Sequence, residues 1–308
     1  MLLHITHTTT YHYAPQVNTA QHMAHLLPRD ASSQTVHAAQ MHITPEPQTC
    51  SEHVDVFGNK RTFFSLPVAH DTLRIVATSA VETHFIPFAP ELAQHTPAWE
   101  KVRDHFLYHA GAAWDAANEF VFASPYVPID NAFADYARST FSANKPVLQA
   151  ACELMKRIHQ EFTYASESTD INTPALEALQ QRQGVCQDFA HILLGCLRTQ
   201  GLAARYVSGY LLTEPPEGQP RLIGSDASHA WVSVYVPDVQ DDTLCTHGQW
   251  FDLDPTNNRW GLNSPGVDYV TLALGRDFGD VSPVRGVIHG GASHTLEVGV
   301  TVMPVDTF

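Results

Sequence analysis

Residues 182–191 read RQGVCQDFAH and place a single cysteine, Cys186, between a glycine and the start of a helical pattern. Apolar residues then recur at the spacing of one face of an amphipathic helix, namely Phe189, Ile192, Leu193, Cys196 and Leu197. Gly201 follows as a residue suited to end the helix. The pattern predicts a helix of about four turns that begins at Cys186.

Three segments after this helix have the alternation and composition of β-strands. They cover residues 203–212 (AARYVSGYLL), 228–237 (SHAWVSVYVP) and 249–256 (QWFDLDPT). A helix followed by consecutive strands favours an α+β fold over a doubly wound parallel sheet.

The remaining sequence suggests four regions. Residues 1–85 are rich in Thr, Val, His and Tyr, and their alternating segments predict a β-rich N-terminal domain. Residues 86–145 are irregular, with many prolines and aromatics, and are interpreted as a connector. Residues 146–275, which open on the helix signal Pro146, form the predicted core, and residues 276–308 form a C-terminal β segment.

Composition excludes several classes of protein. The chain has 308 residues, 44% of them hydrophobic and 16% charged, which is typical of a compact globular protein. A formal net charge of −15 disfavours binding to nucleic acid or to an anionic membrane. No secretion signal and no long apolar run is found, so a cytoplasmic location is expected. The five cysteines form no CxxC pair, so we expect reduced thiols.

Cys186 has a position that suits a nucleophile. The N-terminus of a helix carries positive partial charge and unpaired backbone N–H groups, which favour a thiolate. The same groups can stabilise an oxyanion on a carbonyl that the sulfur attacks. The alternative is a buried apolar cysteine, which is our interpretation of Cys196.

A nucleophilic cysteine needs a general base, and strand parity selects one histidine. Residues 230, 232, 234 and 236 are apolar and predict the core face of their strand. His229, Trp231, Ser233 and Tyr235 then lie on the opposite face. His229 stands at the start of this strand, beside Trp231, which can exclude water. We therefore predict that His229 is the base.

Two acids of equal parity could orient the imidazole, Asp252 and Asp254. Asp254 precedes Pro255, whose ring holds the preceding backbone extended and ends the strand. A carboxylate at a fixed strand end is the better orienting group. The alternative is that Asp254 only caps the turn that follows.

The segments GVCQDFAH, SHAWVSVYV and WFDLDPT, in this order, resemble the transglutaminase-like superfamily of papain-type thiol enzymes. The resemblance implies a papain-like core with helices packed on an antiparallel sheet. It also implies a triad of Cys186 as nucleophile, His229 as base and Asp254 as orienting acid, because Trp250 fixes the register of a W-x-x-x-D-P-T motif. Asp188 belongs to the first motif, and we expect a structural role for it.

The N-terminal region is also similar to the β-domain that precedes this core in bacterial members of the superfamily. The similarity rests on Tyr11-His12-Tyr13, Leu27-Pro28-Arg29 and the DVFGN element at residues 55–59.

The expected chemistry is thiol-dependent acyl transfer from an amide bond of a peptide or protein through a thioester. Hydrolysis, as in a cysteine peptidase or amidase, is the first expectation. Acyl transfer to an amine, as in a protein-glutamine transglutaminase, is the alternative, and a non-catalytic binding module with the same fold is a third hypothesis. The oligomeric state is left open.

No cofactor and no metal are expected. The pairs His4/His7, His22/His25 and His105/His109 have spacings that could chelate, but only HFLYH at residues 105–109 would place two imidazoles on one helical face. No acidic loop of the D-x-D-x-D kind is present, so calcium dependence is not expected.

Overall fold

A computed structural model describes most of the chain. The described residues are 1–89, 91–111, 114–165, 172–213, 228–237, 239–240, 243–244, 248–291 and 293–305. Cys245 lies outside them.

Sixteen strands are found in the described residues. They are β1 (Leu2–Ala24), β2 (Gln34–Thr44), β3 (Thr49–Val54), β4 (Lys60–Leu66), β5 (His70–Thr83), β6 (Thr163–Tyr164), β7 (Gln183–Gly184), β8 (Ala204–Leu211), β9 (Ser228–Val236), β10 (Val239–Gln240), β11 (Thr243–Leu244), β12 (Gln249–Asp254), β13 (Arg259–Leu262), β14 (Tyr269–Gly275), β15 (Val284–Gly290) and β16 (Ser293–Pro304).

The helices of the same described ranges are shorter and fewer. They are α1 (Leu92–His95), α2 (Trp99–His105), a 3₁₀ helix (Ala116–Val121), α3 (Asn131–Ala137), α4 (Val147–Glu161), α5 (Ala175–Gln181), α6 (Cys186–Thr199) and α7 (Phe278–Val281). None that the structure describes combines the length and apolarity needed to cross a bilayer. The architecture is α+β with a β-rich N-terminal region.

The N-terminal sheet is built around β1. Its strands lie in the order β2-β5-β1-β4-β3, and β15 and β16 pair antiparallel with β1. The first half of β1 lies between β5 and β16, and the second half lies between β4 and β15. The C-terminal β segment therefore completes the sheet that the first residues begin.

The second sheet is antiparallel, in the order β13-β12-β9-β8-β14, and one of its faces is covered by helices. Val232 and Val234 of β9 are buried there in a cluster with α4, α5 and α6. Helix α3 of the predicted connector joins the same cluster. A Cβ added at Gly195 of α6 would lie 2.8 Å from the ring of Phe133, so the glycine permits close packing of α3 on α6.

The opposite face of this sheet is also buried, which the alternation of β9 did not predict. Trp231 and Ser233 are both 0% exposed. The N-terminal region holds the edge strand β14 of this sheet through two amides. Gln34 and Asn59 each donate to a backbone carbonyl of β14 and accept from a backbone N–H, at 2.6 to 2.8 Å. The prediction of which β9 residues share a face was right. The face expected to lie away from the core is itself buried, in a second hydrophobic cluster around Trp231.

Helix α6 begins at Cys186 and ends at Thr199, close to the predicted bounds. Gly201 follows with φ of +77°, a conformation that glycine adopts without strain. In α4, Pro146 is the residue before the helix and not its first residue.

Candidate active site

Cys186 is the first residue of α6 and is partly buried. The residues just before it form the short strand β7, which pairs in parallel with β6. The Asp188 carboxylate accepts a hydrogen bond of 2.8 Å from the backbone N–H of Val185, which fixes the turn before the helix. A Cβ at Gly184 would lie 2.5 Å from Asp188 Oδ2, so the glycine lets the carboxylate approach the backbone. Asp188 thus acts on the geometry around the cysteine.

His229 lies between an acid and the thiol. Its Nε2 is 2.7 Å from Asp254 Oδ2. The Cys186 thiol lies close enough to raise the pKa of the same ring. With Nε2 engaged by the carboxylate, Nδ1 is the nitrogen available to the sulfur. The structure therefore brings together Cys186, His229 and Asp254.

Asp254 is 0% exposed, and every face of its carboxylate is occupied. Oδ2 accepts from Asn257 Nδ2 and from the Tyr269 hydroxyl, both at 2.7 Å, in addition to His229. Oδ1 accepts from the backbone N–H of Thr256 at 2.8 Å. Burial alone would raise the pKa of Asp254, but these hydrogen bonds and the charge of His229 lower it. The group is a fixed anion at the end of β12.

Protonation of His229 is governed by the same contacts. Burial opposes the imidazolium, but the hydrogen bonds to Asp254 and Cys186 and the negative charges of both raise the pKa of His229 to about 10. At neutral pH the ring carries a proton. An imidazolium next to a cysteine is the arrangement that activates a sulfur nucleophile.

Asp252, the rival acid, has another role. Its Oδ2 accepts a 2.8 Å hydrogen bond from the indole N–H of Trp231, and burial raises its pKa. Trp231 in turn packs against Tyr269 and lies beside the ring of His229. The two residues fix the buried layer next to His229, and of the two acids it is Asp254 that bonds His229.

Trp250 lies outside the triad. Its ring packs against Phe120 and Tyr235 and under the guanidinium of Arg205. Its contribution to the site is to anchor β12, four residues before Asp254.

Three residues of the site were missed in the sequence. Asn257 follows Asp254 closely in DPTN, and its amide could have been noted as a second partner of the acid. Tyr269 comes from β14, and no local pattern connects it with Asp254. Tyr164 lies in β6 and is paired with Gly184 of β7, two residues before the cysteine. It is found only through that long-range pairing.

Tyr164 is the aromatic hydroxyl on the approach to the thiol. Its side chain is half accessible, with 54% of the residue exposed, and its ring packs edge-on against Phe189 of α6. Burial raises the pKa of Tyr164, and the negative charges of Cys186 and Asp188 raise it further. The hydroxyl therefore stays protonated and is available as a donor near the sulfur.

The histidine pairs with chelating spacing do not assemble into a metal site. Helix α2 ends at His105, so the prediction that His105 and His109 share a helical face was wrong. His105 instead bonds Asp115 at 2.9 Å, and His109 bonds the backbone oxygen of Asp104. Across the described ranges, no three His, Cys, Asp or Glu side chains are grouped to hold a metal ion.

Alkylation should distinguish Cys186 from the other described thiols. Burial raises the pKa of Cys152 to about 12, burial also raises the pKa of Cys196, and burial with Glu52 nearby raises that of Cys50. Cys186 is the described thiol that contacts an imidazolium. At pH 6, iodoacetamide is expected to modify Cys186 at least about 10-fold faster than the others. Peptide mass spectrometry over a time course measures the rates, and equal rates would contradict the prediction.

Comparisons with known proteins find sequences similar to this chain. The profile of the bacterial transglutaminase-like N-terminal region matches residues 3–82, and that of the transglutaminase-like superfamily matches residues 134–255. An uncharacterized protein of Mycobacterium tuberculosis is 37% identical over 308 residues, which cover 98% of this chain and 92% of that protein. A protein-glutamine gamma-glutamyltransferase of Pseudomonas aeruginosa is 27% identical over 132 residues, or 42% of this chain and 18% of that protein.

One solved structure shares the whole fold. It comes from Cytophaga hutchinsonii and bears the name "Putative Cysteine Protease". It superposes with a TM-score of 0.74 at 20% identity and covers 100% of this chain and 92% of that one. The likeness includes both the β-rich N-terminal region and the core.

Proposed function

This chain belongs to the transglutaminase-like superfamily, which includes cysteine protease-like and transglutaminase enzymes, and we propose that it is a thiol enzyme that transfers acyl groups from amide bonds. The observation that carries the proposal is the position of the His229 ring, which bonds the Asp254 carboxylate at 2.7 Å and lies close enough to the Cys186 thiol for that thiol to raise its pKa. The papain-like arrangement, with the thiol on a helix and the imidazole on a strand, is part of the same proposal.

The reaction begins when the Cys186 thiolate attacks the amide carbonyl carbon of a peptide or protein. The new C–S bond moves the carbonyl electrons onto oxygen, and the oxyanion takes hydrogen bonds from the backbone N–H of Cys186 and from the Tyr164 hydroxyl. As the C–N bond breaks, the His229 imidazolium gives its proton to the leaving amine. A thioester on Cys186 remains, with a neutral His229.

Water then resolves the thioester. The neutral imidazole of His229 takes a proton from water, whose oxygen attacks the thioester carbonyl. The C–S bond breaks, a carboxylic acid leaves, and the thiolate and imidazolium are restored. Asp254 keeps its charge throughout and holds the ring in one orientation. We propose hydrolysis as the main reaction, and an amine in place of water would give transamidation.

The products of one incubation test the proposal. The protein is mixed with N,N-dimethylcasein and biotin-cadaverine under reducing conditions, and the mixture is analysed by mass spectrometry. New peptide ends or deamidated glutamines that disappear in Cys186→Ala support hydrolysis, whereas biotin on glutamine supports acyl transfer. Cys50→Ala, which changes an exposed cysteine on β3, is the matched control and should behave as the wild type.

Identical products from the wild type and Cys186→Ala, across this and a panel of glutamine and peptide substrates, would contradict catalysis and favour a binding module.

Tyr164→Phe should lower kcat/KM for the amide substrate by about 10²-fold, because it removes one oxyanion donor. The rate of alkylation by iodoacetamide, which forms no oxyanion, should stay within a factor of about 2 of the wild type. An equal loss in both reactions would show that the hydroxyl supports the thiolate or the fold and not the oxyanion.

A further inference from the structure

A cavity of about 870 Å³ lies on the second sheet, on the face opposite the helices. It does not include Cys186, His229 or Asp254. It opens to solvent and is lined by the turn after β3, by the 3₁₀ helix and by strands β8, β9 and β12. Five of its 13 lining residues are aromatic, namely Phe57, Trp114, Phe120, Tyr235 and Trp250, and Arg205 lies among them. The volume suits a small organic ligand.

Arg205 is the unusual member of this wall. Its guanidinium carbon lies 3.9 Å from the centre of the Trp250 ring, so it stacks on the indole. Its Nε is shielded from solvent and has no hydrogen-bond partner. Within the described ranges, no carboxylate or carbonyl oxygen forms a hydrogen bond or ion pair with this guanidinium. The negative charge of Asp252 raises the pKa of Arg205, but the hydrogen bond of its Oδ2 is with the indole N–H of Trp231.

Arg198, which is 2% exposed, shows the contacts that a structural arginine makes in this fold. Arg198 donates to the backbone oxygens of Phe120, Ala204 and Arg276 and to the Ser124 hydroxyl. A buried donor without a partner is costly, and it is normally compensated by such contacts. Arg205 is partly buried, its Nε has no such contact, and its side chain lines a cavity. This is the situation expected of a residue whose partner is a ligand.

The chemistry of the wall selects the ligand. A planar guanidinium binds a carboxylate through two parallel hydrogen bonds. Aromatic walls favour a flat apolar group. Asp115 and Glu119 also line the cavity, and their charges disfavour a ligand with several negative charges, such as a phosphate ester. We propose that this cavity binds an aromatic monocarboxylate, with its carboxylate on Arg205 and its ring among Phe120, Tyr235 and Trp250.

This site is distinct from the triad. Trp250 and Asp254 lie on the same face of β12, four residues apart, which separates them by about 13 Å along the strand. Binding at Arg205 therefore requires neither Cys186 nor any step of the proposed reaction.

Calorimetric titration with 2-naphthoate and with its neutral amide, 2-naphthamide, tests the proposal. The wild type should bind 2-naphthoate at least 10-fold more tightly than 2-naphthamide. Arg205→Met keeps the length and apolar stem of the side chain, and it should abolish this difference. Cys186→Ala should bind both probes as the wild type does, which separates this site from the proposed catalysis.

Thermal denaturation checks the fold of Arg205→Met, which should melt close to the wild-type temperature because the substitution breaks no hydrogen bond or ion pair within the described residues. If it does not fold, Ala116→Phe replaces it, since Ala116 is an exposed residue that lines the cavity. The added ring should weaken binding of both probes at least 10-fold. Equal affinity of the wild type for acid and amide, absence of binding, a preference that persists in Arg205→Met, or unchanged binding in Ala116→Phe would overturn the proposal.

Discussion

His229→Gln is expected to lower kcat/KM for amide substrates by about 10⁴-fold or more. The substitution removes the group that protonates the leaving amine and later takes a proton from water, and it also removes the cation beside the thiolate. Glutamine is similar in size, and Asp254 keeps its bonds from Asn257, Tyr269 and Thr256. The fold should therefore persist while the chemistry fails.

Two measurements separate the chemical loss from a folding defect. Near-ultraviolet circular dichroism should be preserved in His229→Gln, and alkylation of Cys186 at pH 6 should slow because the thiolate has lost its counterion. His53→Gln, an exposed histidine on β3, is the matched control and should match the wild type in both. More than about a tenth of the wild-type activity in His229→Gln would exclude His229 as the general acid and base.

Asp254→Asn should lower kcat/KM by about 10²- to 10⁴-fold and should also move its pH dependence. In the wild type the pKa of His229 is raised to about 10, so the ring stays protonated as the pH rises through neutrality and loses its proton only near pH 10. Activity that needs the imidazolium should decline there. Without the carboxylate the cation is less stable, so the decline should begin at a lower pH.

The asparagine also disturbs the hydrogen bonds of the site. Oδ2 of Asp254 accepts three hydrogen bonds, and an amide nitrogen in its place would face the donors of Asn257 and Tyr269. Each unsatisfied buried donor costs about 1–3 kcal/mol, so a lower melting temperature accompanies the kinetic change. Asp252→Asn makes the same substitution on the same face and is the matched control. It should leave the high-pH decline in place, and an equal shift in both variants would contradict the assigned role.

The positions of Cys186 and His229 on their helix and strand were predictable because each depends on the residues next to it in the sequence. A helix that begins at Cys186 follows from apolar periodicity, and the faces of β9 follow from alternation. The assignment of Asp254 over Asp252 rested on the position of Pro255 and on the motif counted from Trp250. The structure gives the physical reason, since Asp252 is held by the indole of Trp231.

What could not be predicted depends on contacts between distant parts of the chain. Alternation shows which residues share a face of a strand but not what covers that face, so the complete burial of Trp231 was missed. Tyr269 reaches Asp254 because β14 pairs with β8, and Tyr164 lies beside Gly184, two residues before Cys186, because β6 pairs with β7. None of these pairings leaves a pattern in the separate segments.

The pairing of β1 with β15 and β16 determines when the N-terminal sheet can form during synthesis. Leu3 is opposite Pro304, and Ala24 is opposite Val284. Strand β1 therefore cannot complete its pairing until β15 and β16 have been made, after the whole core between them. Such pairings of distant residues form slowly because a long loop must close first. Until then one side of β1 is an open edge that can pair with another chain, and this interval is when the nascent protein is most exposed to aggregation.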